Sequence, residues 1–296
     1  MTYLFSASLI WAFSFGLIKE NLTTIDSNLV AFIRIFLSLL VFLPFLKIKG
    51  IEKKLRADLM ITGMVQYGFM YISYIYSYQF LKGFEIALFT VFTPVYVTII
   101  YSLIRKKFHG TFFIFSILSM LIAAIIVFKD ISSIGLWKGF FLLQFSNICF
   151  AWGQVRYREL MSKYKNIRDR EIFGYLYAGA FLFTMLTVLI SVDPENIKIE
   201  MSQVLSLVYL GIIASGIAFF LWNKGIRKVN IGAVSIFNNL KIPFGILISL
   251  TVFREEGDLL RVVSGGLLLL ILLIINENIR KRSGDKNNVQ VNGARK

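Results

Sequence analysis

Ile231-Gly232-Ala233-Val234-Ser235-Ile236-Phe237-Asn238-Asn239-Leu240-Lys241-Ile242-Pro243-Phe244-Gly245, continuing almost wholly apolar to Phe253, decides how this chain is read. These 23 residues carry one charge, Lys241, at the eleventh place. At about 1.5 Å rise per residue a helix of this length crosses the ~30 Å hydrocarbon core of a bilayer. Lys241 then lies near the midplane, where a lysine costs roughly 2.5–3.5 kcal/mol even on the mild insertion scales. Such a residue persists only where it faces protein or water. Asn238, Lys241, Gly245 and Ser249 recur at helical spacing, so they form one polar, small-residue stripe, and that stripe is expected to face a central cavity.

The rest of the chain has the same character. Of 296 residues 57% are hydrophobic and only 17% charged, against about 25% charged in a soluble domain. Ten apolar segments follow one another at 3–19, 28–46, 59–81, 84–104, 111–128, 138–157, 172–191, 204–223, 231–253 and 259–276. This pattern predicts an all-α polytopic membrane protein of ten transmembrane helices. The first segment has no basic residue before it and no small-residue cleavage site after it, so it reads as a spanning helix and not as a removed signal.

The net charge of +15 does not indicate nucleic acid, because the basic residues sit in short loops between apolar runs. With the N-terminus inside, 23 of the 32 lysines and arginines fall in inner loops or the C-terminal tail and 7 in outer loops. The positive-inside rule therefore predicts both termini in the cytoplasm, in a plasma (inner) membrane. The tail, 279–296, is polar and basic, and is expected to be disordered and close to anionic lipid.

Two halves resemble each other. Trp11 and Trp152, 141 residues apart, lie mid-segment in segments 1 and 6. Pro94 and Pro243, 149 residues apart, lie mid-segment in segments 4 and 9. Five helices per copy is an odd number, so the copies 1–130 and 131–278 insert with opposite orientation around a central cavity. Inverted repeats with a midplane binding site are a recurring design of secondary transporters.

The order of these features, with Leu9-Ile10-Trp11-Ala12-Phe13-Ser14-Phe15, Ala31-Phe32-Ile33-Arg34, Glu85-Ile86-Ala87 through Thr93-Pro94, Tyr209 to Ala218, Leu221-Trp222 and Pro243 followed by Glu255 or Glu256, resembles the drug/metabolite transporter superfamily of the EamA type. The resemblance implies a basket of ten helices that moves small metabolites (amino acids, amines or carboxylates), often outward. A lysine close before the second proline is a departure from the family pattern.

Several residues are candidates for the site. Lys241 suits a carboxylate or phosphate in a dry cavity. It could equally be held by carbonyls freed at Pro243 or by Asn238 or Asn239, or release a proton during transport. Arg34 is expected to snorkel to the outer surface, or else to line the outer cavity as an anion guide. Glu85, in the first turn of its helix, suits the helix dipole, with a coupling role as the alternative. Tyr67, Tyr71, Tyr74 and Tyr78 share one face of segment 3 and, with Trp11 and Trp152, suit a flat or cationic solute. Pro94 and Pro243 are candidate gating points. Gln66, Asn147, Gln154 and Asn223 read as interhelical hydrogen-bonding residues, and Gly63 among the glycines as a close-packing position.

Function classes narrow accordingly. One cysteine and one histidine leave no thiol-based metal site and no Ser-His-Asp arrangement, and no Walker-A sequence is present, so an enzyme, a cofactor and ATP coupling are all disfavoured. The expected activity is alternating-access transport of a small solute, anionic or zwitterionic on the strength of Lys241. A non-transporting membrane sensor or a channel-like facilitator is the alternative.

Overall fold

The computed structural model describes residues 1–127, 135–193, 195, 197, 199–252 and 258–293. Every regular element among them is a helix: α1 Thr2–Leu17, α2 Ser27–Phe42, α3 Lys53–Gly63, α4 Met70–Ser77, α5 Gly83–Thr90, α6 Thr93–Ile104, α7 Gly110–Val127, α8 Leu136–Lys163, α9 Asp169–Ser191, α10 Met201–Val208, α11 Ala218–Ile226, α12 Ile231–Thr251 and α13 Leu259–Gly293, with short 3-10 and π turns between some of them. Among the described residues, seven helical stretches are long and apolar enough to cross a membrane: Ser27–Phe45, Glu85–Ile104, Gly110–Val127, Asp169–Ser191, Met201–Ile226, Ile231–Ile248 and Leu259–Lys281. The protein is thus an all-α, multi-pass membrane protein. Residues Glu255 and Glu256 lie outside the described residues, as does the Ser249 side chain.

Local chemistry sets the helix starts. Asp26 accepts from the backbone N–H groups of Asn28 (2.8 Å) and Leu29 (3.2 Å) and so caps α2. Asn230 does the same for α12 through the Ala233 N–H (2.7 Å). Glu85 accepts from the Lys82 N–H (2.8 Å), half of a capping box that begins α5.

The two prolines behave differently, which the sequence does not reveal. Pro94 sits in the first turn of α6, after a break between Thr90 and Thr93. Pro243 runs inside the unbroken α12. The break frees carbonyls, and neighbouring helices take them up. Phe89 O accepts from Gln144 Nε2 (3.2 Å) and Asn147 Nδ2 (3.0 Å), and Val91 O from Asn239 Nδ2 (3.3 Å).

Three stretches wind as π-helix: Ile18–Leu22, Met64–Phe69 and Tyr209–Ile217. The wide turn at Tyr209–Ile217 leaves carbonyls open to outside donors. Ser38 Oγ donates to Gly211 O (2.8 Å), Trp11 Nε1 to Ala214 O (2.9 Å), and Tyr177 OH to Ser215 O and to Gly216 O (3.2 Å). These bonds tie α1, α2 and α9 to one stretch.

Helix α12 is the hub. It packs against α1, α6, α7 and α13, and 72% of its apolar window is buried, more than in any other spanning stretch. Gly63 and Gly179 permit the closest crossing, between α3 and α9. A Cβ on Gly63 would lie 1.8 Å from Leu176 O, and one on Gly179 2.0 Å from Met60 O.

Past Asn276, α13 continues as helix to Gly293, in place of the expected disordered chain. Between Asn276 and Gly284 no glycine or proline interrupts it, and the Glu277–Arg280 ion pair (2.7 Å) lies at helical spacing.

Candidate functional site

A cavity with about 590 Å³ of empty space, its open mouth included, lies at the centre of the helices. Its walls come from α1 (Trp11, Ser14), α2 (Arg34), α4 (Met70, Tyr71, Tyr74), α5 (Thr90), α8 (Ser146, Asn147, Phe150), α11 (Phe219) and α12 (Lys241). The helix break at Thr90 and the π turns beside Ile18, Met70 and Ser215 are the places where regular backbone gives way.

Among the described residues, two cations face this space and no acidic residue lines it. Arg34 is 2% exposed. Its Nε donates to Ser215 Oγ (3.1 Å) and its Nη2 to Tyr71 OH (2.9 Å). The guanidinium carbon stands 4.2 Å from the Tyr71 ring centroid. Among the described residues Arg34 Nη1 has no partner. Lys241 Nζ stands 5.7 Å from the Trp11 ring and 5.6 Å from the Phe150 ring. Neither cation has an ion pair among the described residues.

Below Trp11 the path is closed. Trp11 packs against Phe219 (4.7 Å between centroids) and Trp222 (5.0 Å). Trp222 Nε1 donates to Gln154 Oε1 (3.0 Å), Gln66 Nε2 to Asn223 Oδ1 (3.0 Å) and Asn223 Nδ2 to Tyr67 OH (2.9 Å). The interhelical hydrogen bonding expected of Gln66, Gln154 and Asn223 is therefore present.

The candidates from sequence separate into two groups. Trp11, Arg34, Tyr74 and Lys241 come together in the cavity. Arg34 does not snorkel outward: its partners Tyr71 and Ser215 hold it inside, because two hydroxyls and an aromatic face replace water around it. Lys241 has no hydrogen bond to a carbonyl near Pro243 or to Asn238 or Asn239, so the purely structural arrangement is not what forms. Asn238 turns away from the cavity: its amide donates to Val234 O (2.9 Å) and Gln154 Oε1 (3.4 Å). Of the described side chains in the stripe on α12, then, only that of Lys241 is in the wall. Trp152 is half-buried and is not part of the wall. Tyr78 lines a smaller recess with Leu22 and Ile25, and its hydroxyl meets that of Tyr74 (3.0 Å). The π turn at Met64–Phe69 shifts the register of the tyrosine face, which is why Tyr67 is in the core and only Tyr71 and Tyr74 are in the wall. Glu85 is fully buried as a cap, and Pro94 and Pro243 lie beside the cavity without lining it.

Ser215, Phe150 and Phe219 are site residues that sequence reasoning missed. Ser215 carries a weak signal, a hydroxyl in a glycine-flanked apolar run. Its pairing with Arg34, 181 residues away, follows only from the fold.

Residues 1–129 and 134–277 each match the EamA-like transporter family. A protein of Pseudomonas aeruginosa named "Probable biotin transporter" is 36% identical over 278 residues, covering 93% of this chain and 97% of its own length. The "Biotin transporter" proteins of Escherichia coli K12 and Salmonella typhimurium are each 34% identical over 277 residues, covering 93% of this chain and 92% of theirs. A crystal structure of a protein only 13% identical superposes with a TM-score of 0.72 over 93% of this chain and 96% of that one, which shows a shared fold.

Proposed function

The chain belongs to the EamA-like transporter family, and on that premise we propose that it carries biotin across the cytoplasmic membrane by alternating access. It is a transporter and not an enzyme. The observation that carries the biotin reading is the cavity wall: two unpaired cations beside Trp11, Phe150 and Phe219, with no acid among the lining residues. Biotin is a compact, cis-fused bicycle, a polar ureido ring on an apolar tetrahydrothiophene, with a carboxylate on a pentanoate tail. A buried charge seeks a counter-ion, and aromatic walls suit the bicycle. An amine finds no acid in the wall. The relatives named as biotin transporters support the same choice.

The architecture proposed is ten spanning helices in two inverted copies. Besides the seven apolar stretches, α1, the continuous helix over 53–77 and α8 complete the ten. The packing pattern supports the repeat. α1 packs on α12 and α11 as α8 packs on α6 and α4, and α2 packs on the π turn of 209–217 as α9 packs on that of 64–69. The double family match supports it too.

With both termini inside, as the loop charges favour, Ser14, Ile18, Arg34 and Tyr74 lie on the outer halves of their helices. The aromatic and amide plug of Trp222, Gln154, Gln66 and Asn223 lies on the inner side. This arrangement corresponds to an outward-facing state, which the cycles of uptake and of export both visit.

The test is uptake of labelled biotin by purified full-length protein in liposomes, with unlabelled biotin inside or outside. Saturable biotin flux, absent from empty liposomes and faster on exchange, is expected. Flux of amino acids or amines with none of biotin would overturn the reading.

A further inference from the structure

We propose that the two cations divide the substrate between them: Arg34 takes the carboxylate, and Lys241 donates to the carbonyl oxygen of the ring. The inference rests on the biotin reading above. It begins with how Arg34 is held. A guanidinium presents donors along two edges, a side edge of Nε and Nη2 and an end edge of Nη1 and Nη2. The side edge is used within the protein, on Ser215 Oγ (3.1 Å) and Tyr71 OH (2.9 Å). Those two hydroxyls are themselves 2.7 Å apart, so they form one fixed double acceptor. The Tyr71 ring lies against the guanidinium plane. Arg34 is therefore oriented before any ligand arrives.

The end edge is free. Nη1 is buried and unpartnered among the described residues, in a residue 2% exposed that lines the cavity. A planar end edge of two N–H groups matches the two oxygens of a carboxylate, and a charge-assisted fork of this kind is stronger than a neutral bond. An orphaned guanidinium nitrogen of this kind is costly until an acceptor fills it.

Lys241 is built differently. Among the described residues no hydrogen bond fixes it; the rings of Trp11 and Phe150 flank it at 5.7 and 5.6 Å. It is a point charge beside the apolar wall against which the bicycle packs. With the carboxylate on Arg34, the group of biotin that reaches this wall is the bicycle, whose ureido carbonyl is its strongest neutral acceptor. Ser215 and Tyr71 are positioning residues in this arrangement.

Three probes separate the two ends. Biotinamide keeps the bicycle and loses the charge. Lipoate keeps the pentanoate tail and loses the ureido group. Biotin has both. Affinities are measured by titration calorimetry on the purified full chain, wild type and Arg34→Gln, Arg34→Lys and Lys241→Gln, with thermal unfolding as a check on folding. Wild type is expected to bind biotin about 10- to 100-fold more tightly than biotinamide, and also more tightly than lipoate. Arg34→Gln brings the biotin-to-biotinamide ratio near one and keeps the biotin-to-lipoate ratio; Arg34→Lys lowers the first ratio, because a charge without the fork is retained. Lys241→Gln does the reverse, collapsing the biotin-to-lipoate ratio. Should Arg34→Gln fail to fold, Arg34→Lys and Ser215→Ala decide, each lowering the biotin-to-biotinamide ratio. A ratio unchanged in the Arg34 variants, or lost in Lys241→Gln instead, overturns the assignment while leaving biotin as substrate. Wild-type protein that binds none of the three probes overturns the biotin reading itself.

Discussion

Replacing Lys241 with methionine should make the substrate-free protein more stable and a poorer transporter at once. The two effects have separate origins. An ammonium near the bilayer centre costs about 2.5–3.5 kcal/mol on insertion scales. In this fold Lys241 recovers only part of that, since it has no ion pair and no hydrogen bond among the described residues and only two aromatic faces, at 5.6 and 5.7 Å. Such contacts are worth about 0.5–1 kcal/mol each, rising toward 2 when dry. Methionine fills a similar length and makes its own favourable contacts with rings. The difference leaves a net gain of roughly 1–2 kcal/mol for Lys241→Met. Binding moves the other way, by the loss of one charge-assisted bond, about 1.5–3 kcal/mol. The assay pairs thermal unfolding in detergent with biotin uptake in liposomes. A variant that melts lower than wild type and transports normally would refute the reasoning, because it would make Lys241 a structural residue with partners the cavity does not show.

Further substitutions test the frame and the cap. Gly63→Ala and Gly179→Ala each push a Cβ into backbone at the α3–α9 crossing, 1.8 Å from Leu176 O and 2.0 Å from Met60 O; neither backbone can yield, so both variants should fail to give a monodisperse protein on size-exclusion chromatography, whereas Gly50→Ala, whose Cβ meets nothing within 4 Å, should cost only the strain of its positive φ. Glu85→Gln keeps an acceptor for the Lys82 N–H, so uptake and its pH profile should be unchanged, while Glu85→Ala should cost about 0.5–2 kcal/mol of stability as a lost cap. A shifted pH profile in Glu85→Gln would instead make this residue part of coupling.

The membrane class was legible in the sequence, because it rests on composition and run length, and Lys241 stood out through the cost of one charge in lipid. What it hid depends on departures from regular helix. The stripe from Asn238 to Ser249 and the tyrosine face of segment 3 were both read on an ideal wheel. Asn238 instead serves Gln154 on a neighbouring helix. The π turn before Met70 moves Tyr67 into the core. Arg34 was placed at the surface because its two acceptors, Tyr71 and Ser215, lie 37 and 181 residues away. No local pattern announces such partners. Trp152 failed for the opposite reason: it matches Trp11 in position within a repeat, yet a repeat constrains backbone placement and not which side chains reach the cavity.

The same logic explains why apolarity alone passes over two of the proposed spans. The helix over 53–77 and α8 carry Gln66, Tyr67, Tyr71 and Tyr74 on one, and Gln144, Asn147 and Gln154 on the other. Every one of these residues is turned toward protein: Asn147, Tyr71 and Tyr74 toward the cavity, Gln66, Tyr67 and Gln154 into the plug beneath it, and Gln144 onto the broken helix end at Phe89. A helix that surrounds a solute loses hydropathy in proportion to the polar groups it lends to the site, and lipid requires apolar residues only of its other face. The helices that score worst as membrane spans are therefore the ones to search first for the substrate. Here they supply Tyr71, Tyr74, Asn147 and Phe150 to the cavity wall, with Tyr71 bonded to the cation from α2 and Phe150 flanking the one from α12.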